Sequence, residues 1–185
     1  MKNPKLASRY AQALYDFAAE ANHIDIVHHD ILHIIEVVSA HPDLKTVLES
    51  PIIVQVKKQN ILREIFQHHL SEITYRFISL IVKKRREPQL LLICRQFVLI
   101  YYKNNNIKEV YITSARPLSE KTVQYIKAYL EADSPYTFIF HLSVDPKIIG
   151  GLVVKIDDFY FNATIQAKIN KLRAEFSQNV YAIGF

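Results

Sequence analysis

Eight histidines, one cysteine and a short basic run are the groups in this 185-residue chain with the potential for chemistry. His29 and His33 stand at i and i+4, a spacing that puts two imidazoles on one helix face and suits a metal ion. His28, His68 and His69 offer further nitrogens. No cysteine or carboxylate pattern completes a tetrahedral set at motif spacing, so solvated or interfacial histidines are the expectation. Cys94 has no second thiol to pair with. Set in an apolar helical segment, it reads as packing in a reducing compartment rather than as a nucleophile, which needs a base and an electropositive setting. Three glycines cannot build a phosphate-cradling loop. Gly150-Gly151 leads into a strand pattern, not a helix whose N-terminus would hold phosphate, and reads as a tight turn. Lys83-Lys84-Arg85-Arg86 closes a helical segment, where positive charge matches the helix dipole. Neither a Ser-His-Asp arrangement nor a carboxylate pair stands out.

Bulk properties narrow the choice further. Half of the residues are hydrophobic and 22% are charged, a composition that folds. The net charge of +5 is a mild bias: residues 1–105 hold 14 Lys+Arg against 10 Asp+Glu, and residues 106–185 hold 9 against 8. A nucleic-acid binder is expected to present a broader basic face. The 21 Tyr and Phe residues fall on helical and strand periods and read as core rather than stacking platforms. No apolar signal core follows Met1-Lys2-Asn3-Pro4-Lys5. Apolar runs such as Phe97 to Tyr102 are far shorter than the ~20 residues that span a bilayer. A soluble protein that reaches a membrane only through partners is expected, with no catalytic, cofactor or metal site.

Two periods divide the chain. Leu6, Tyr10, Ala13, Leu14, Phe17 and Ala21 recur at helical steps, and Ile24, Val27, Ile31, Ile34, Ile35 and Val38 mark a second helix. Pro42 opens a short third helix that ends near Ser50-Pro51. Val56, Ile61, Ile65 and Phe66 mark a fourth, and Ile73, Phe77, Leu80 and Ile81 a fifth. A sixth begins at Glu87-Pro88, with Leu91, Cys94, Phe97, Val98 and Tyr101 inward. Short connections predict an antiparallel six-helix bundle over 1–105. Lys103-Asn104-Asn105-Asn106 is the expected boundary. Beyond it, Val110–Thr113, Tyr136–Val144, Leu152–Ile156 and Phe159–Phe161 read as strands, with a turn at Asp157-Asp158. A Ser119-capped helix falls at Thr122–Leu130, with Val123, Ile126 and Leu130 inward. A long final helix starts near Ala163-Thr164, and Ile165, Ile169, Leu172, Phe176 and Val180 form its stripe. The fold class is α+β, with a small α/β domain over 106–185.

What remains is surface for other proteins. The first helix is rich in small residues (Ala7, Ala11, Ala13, Ala18, Ala19, Ala21), which suits either ordinary packing or a partner groove. The last stripe either packs within the chain or meets a partner.

Three stretches carry a resemblance. They are Ala7-Ser8-Arg9-Tyr10-Ala11-Gln12-Ala13-Leu14-Tyr15; Ser50-Pro51-Ile52-Ile53 with Lys57-Lys58; and Val144-Asp145-Pro146-Lys147-Ile148-Ile149-Gly150-Gly151-Leu152. In this order and spacing the chain resembles the delta subunits of F-type ATP synthases, known in mitochondria as the oligomycin-sensitivity-conferring protein. Arg85 also falls where that family often has arginine. Two departures stand out: the family's Gly-Asp turn is Asp157-Asp158 here, and its Asp-Gly-Ser step is Asn162-Ala163-Thr164.

The resemblance implies a non-catalytic stator subunit at the cytoplasmic face of the bacterial inner membrane. It would link the catalytic alpha/beta head to the peripheral stalk and support proton-driven ATP synthesis. The N-terminal domain would receive the N-termini of the alpha subunits between its first and fifth helices, with Tyr10, Ala13, Leu14 and Phe17 on one wall and Ile78, Ser79 and Val82 on the other. The C-terminal domain would bind the b subunit through Ile169, Leu172 and Phe176. It also implies no homo-oligomer. Two other readings compete: a basic helical nucleic-acid-binding module resting on Lys83 to Arg86, and a small metal-dependent enzyme built on His29 and His33.

Overall fold

The computed structural model describes residues 4–132 and 134–179. The fold is α+β, with a helical N-terminal part and an α/β C-terminal part. The chain separates into two compact units, Met1–Asn104 and Asn105–Phe185.

Among the described residues, the first unit contains α1 (Pro4–Glu20), α2 (Ile24–Ala40), α3 (Pro42–Glu49), α4 (Gln55–Phe66), α5 (Glu72–Lys83) and α6 (Leu90–Asn104). On α1 the buried residues are Ala7, Ala11, Leu14 and Ala18, a single stripe at helical spacing. Three of the four are alanines, so α6 packs closely against α1. Phe97 of α6 fills the seam, its ring 6.2 Å from that of Tyr15. With no glycine in this part of the chain, helix ends that need a left-handed residue use other types. Asn22 (φ 55°) ends α1, where the His23 amide donates to the Ala18 carbonyl at 2.9 Å. Arg85 (φ 55°) ends α5 in the same way, through the Arg86 amide and the Ile81 carbonyl.

Buried polar groups join the helices. Asp30 of α2 accepts from the Ser71 amide at 2.9 Å and from the Ser71 hydroxyl. Ser71 in turn caps α5 by accepting from the Thr74 amide. Lys58 of α4 is buried and donates to the Leu48 carbonyl at 2.9 Å and to Glu87 Oε1 at 2.8 Å. That one ammonium holds together the end of α3, the start of α4 and the 3-10 turn that leads into α6.

The second unit contains β1 (Ile107–Ser114), α7 (Glu120–Glu131), β2 (Thr137–Val144), β3 (Leu152–Ile156), β4 (Phe159–Asn162) and α8 (Ile165–Asn179). The sheet order is β2-β1-β3-β4. β1 and β2 are parallel, and α7 is their crossover. Alternation along the strands puts Val110, Ile112 and Phe138 on one face, packed with Leu118, Ile126 and Leu130. Ser119 caps α7 by accepting from the Thr122 amide. Asp157 takes the left-handed conformation (φ 49°) in the β3–β4 turn, so the hairpin forms without a glycine there.

Candidate functional site

An apolar groove of about 390 Å³ lies between α1 and α5. Tyr10, Ala13, Leu14 and Phe17 line one side, at the steps expected of a helical stripe. This stripe is rotated from the one that α6 covers, so α1 carries two apolar faces and one of them is open. Phe17 is 57% exposed, too much for a core aromatic. The other side is Ile73, Phe77 and Leu80, and the exposed Glu72–Arg76 ion pair sits at the rim.

Ile78, Ser79 and Val82 are not on this wall. Ile78 and Val82 are buried in the core, and Ser79 is half-buried outside the groove. The reason is rotational. α5 has one apolar stripe through Thr74, Ile78, Ile81 and Val82, which faces the core. A second stripe through Ile73, Phe77 and Leu80 lies about a quarter turn away, at ~100° per residue. Both are apolar in the sequence, and only packing shows which one stays open.

The second surface is on α8. Ile169 is 36% exposed, Leu172 52% and Phe176 70%. Ile165 is 46% exposed, with its side chain against Gly150, so exposure along the stripe is greatest at Leu172 and Phe176; Val180, its expected last member, lies outside the described residues. Hydrogen bonds anchor the base of α8. Thr164 caps it by accepting from the Ala167 amide at 3.2 Å, and Asn162 Oδ1 accepts from the Thr164 amide and hydroxyl. The Ile165 amide donates to the Gly150 carbonyl at 2.9 Å. Here the glycine pair has its physical reason. Gly151 sits at φ +88°, and a Cβ there would lie 2.3 Å from the Ala163 carbonyl oxygen. Gly151→Ala should therefore cost about 2–3 kcal/mol, from a left-handed backbone plus a backbone clash. Urea unfolding measures this, and an unchanged midpoint would show that the turn can re-form elsewhere. A larger cavity of about 450 Å³ lies by the same turn, with a mixed lining in which Ile148, Ile149 and Val153 stand beside Asp145, Lys147, Asn162 and Gln166.

The reactive groups of the sequence do not converge. His29 is exposed, whereas His33 packs edge-on to Phe66 and beside His69 at 6.0 Å. His28 turns instead toward α6. Among the described residues no three His, Cys, Asp or Glu side chains are grouped to hold a metal ion. Cys94 is buried, and burial pushes its thiol up to about 12, so it is not ionised near neutrality. Lys83 to Arg86 are exposed at the end of α5. Among the described residues no helix is long and apolar enough to cross a membrane.

Two apolar helix faces are thus open to solvent, one between α1 and α5 and one on α8. The profile of the ATP synthase delta (OSCP) subunit family matches residues 6–176. The chain belongs to this family, whose members are non-catalytic stator components of F-type ATP synthase. It is 32% identical to ATP synthase subunit delta of Salinibacter ruber over 172 residues, covering 93% of this chain and 90% of the relative. It is also 32% identical to ATP synthase subunit delta of Cytophaga hutchinsonii over 180 residues, covering 97% and 98%. The fold matches a chain in a cryo-EM structure of the Toxoplasma gondii mitochondrial ATP synthase hexamer, with a TM-score of 0.72 and 19% identity over 92% of this chain and 97% of that one. At that identity the likeness speaks for the fold alone. The nucleic-acid reading finds no support in these comparisons.

Proposed function

We propose that the α1–α5 groove receives the amphipathic N-terminal helices of ATP synthase alpha subunits, and that the α8 stripe binds the C-terminal end of the peripheral-stalk b subunit. On this reading residues 1–105 act as a six-helix bundle seated on the catalytic head and residues 106–185 as the stalk-facing domain. The protein would sit at the cytoplasmic face of the bacterial inner membrane, peripheral through the complex.

The observation that carries the reading is the groove itself, an apolar trough between two helices with Phe17 and Leu80 open to solvent. A trough of this kind suits an apolar helix face, with anchors at helical spacing. A stator must resist torque, and broad apolar contact with a few deep anchors supplies slow dissociation. Joining two docking faces in one chain raises the effective concentration of the second partner once the first is bound.

Phe17→Asp with Leu80→Asp tests it. Both residues are exposed, so the fold should survive, as circular dichroism can verify. Calorimetric affinity for a peptide from the N-terminus of the alpha chain of the same complex should fall at least about 30-fold, the effect of losing one anchor worth ~2 kcal/mol. Affinity for a peptide from the C-terminal end of the b chain should not change. An undiminished alpha-peptide affinity in the folded double variant would remove the groove from consideration.

A further inference from the structure

The seam between α2 and α6 ends in a cluster of ionisable side chains that the docking surfaces do not use. His28 lies flat on Tyr101, ring centroids 3.8 Å apart and planes 6° from parallel. Tyr102 meets the same imidazole edge-on at 5.9 Å. One turn back on α2, Asp25 Oδ1 accepts from the Tyr101 hydroxyl at 2.8 Å. Asp25 and His28 thus both grip the last turns of α6. The Nε2 atom of His28 is buried and has no hydrogen-bond partner among the described residues.

We propose that this cluster is a proton-released clasp: neutral His28, stacked on Tyr101, holds α2 to the C-terminal turns of α6, and protonation of this half-buried imidazole at its buried Nε2 opens it.

The chemistry is asymmetric. A neutral imidazole leaves one nitrogen bare, which a buried site tolerates when that nitrogen carries no proton. An imidazolium carries N–H on both nitrogens, and the one at Nε2 would be a buried, charge-bearing donor without an acceptor. A cation over a tyrosine face is attracted to it, which offsets part of the cost of that unmet donor. The neighbours set the balance. On α2, Asp25 favours the charged ring and His29 opposes it. On α6, the rings of Tyr101 and Tyr102 face it. Burial and the Asp25 contact push Tyr101 up to about 12, so it supplies no anion near neutrality. Tyr15 of α1 acts on Tyr101 in the same direction.

Burial is the largest influence on His28 itself and holds its imidazole below the ordinary value of 6.5. A group whose folded value is depressed in this way prefers to be neutral in the folded state. The contribution of a half-buried histidine whose value is lowered in this way is present above pH 6.5 and is lost as pH falls below it.

The full chain is the material for the test. A proton NMR titration follows the His28 ring, and amide exchange at Tyr101–Asn104, corrected for the chemical rate, follows the seam at pH 7.5 and pH 5. His28 should titrate below 6.5, and exchange should speed up about tenfold at pH 5. His28→Phe keeps an aromatic face on Tyr101 and removes the titration, so its exchange ratio should be close to one. A His28 value at or above 6.5 overturns the proposal, as does an equal acid response in His28→Phe. If His28→Phe does not fold, the titration of the unaltered chain decides. None of these readouts involves a partner, so the result stands apart from the docking reading.

Discussion

Lys58→Ala should cost the helical unit about 3–5 kcal/mol, the usual effect of removing one partner from a buried ion pair. Lys58 Nζ lies 2.8 Å from Glu87 Oε1, and the two side chains are only 3% and 9% exposed. The same ammonium satisfies the Leu48 carbonyl. Truncating it strands a buried carboxylate whose Oε2 has no partner among the described residues, and removes the donor to a main-chain carbonyl. Domains of this size have about 5–15 kcal/mol of stability in total, so the loss should be visible as early unfolding in urea. The double change Lys58→Met with Glu87→Leu should recover most of the loss, because it removes both charges rather than one. A single-variant cost below ~1 kcal/mol would mean that water reaches the pair when the lysine is gone. The consequence extends to the groove. Glu87 opens the turn that leads into α6, and α6 is the helix against which α1, the first groove wall, is packed.

The second large effect is a contrast between two phenylalanines. Phe97 is fully buried in the α1–α6 seam. Phe97→Ala should destabilise by about 3–5 kcal/mol, through lost burial and the cavity left among side chains too short to refill it. Ala7, Ala11 and Ala18 have no reach to close the gap. Phe176, at 70% exposure, has no comparable packing to lose. Phe176→Ala should move stability by no more than about 0.5 kcal/mol, while weakening attachment to whatever covers α8. Thermal unfolding of both variants makes the comparison. A large loss at Phe176 would show that the α8 stripe serves the fold, and the assignment of the b chain to this face would then lose its basis.

These expectations show how far single-chain patterns reach. The stripe Leu6-Tyr10-Ala13-Leu14-Phe17 was readable as helix because apolar side chains three and four apart can share a face only in that conformation. The α7 cap at Ser119 and the α8 cap at Thr164 were readable for a related reason. A hydroxyl one step before a helical run satisfies amides that would otherwise be orphaned, and both hydroxyls do so here. The glycine pair was readable as a turn, but its role in seating α8 was not. That role arises from the approach of Ala163 and Thr164, residues more than ten positions further along the chain.

The candidate site was half legible. All four residues expected on the α1 wall line the groove, but none of the three expected on α5 does. Helical periodicity reports which residues share a face and not which way that face points. α5 has two such faces, Ile73-Phe77-Leu80 and Thr74-Ile78-Ile81, of similar apolarity. Local order in this protein, its helices, caps and strand alternation, follows from the sequence because it depends on neighbours within about one turn. Three other features depend on residues distant in the chain: the open face of α5, the buried meeting of Lys58 with Glu87, and the fit of His28 on Tyr101. These come together only when separate helices pack, and the tertiary structure alone decided them.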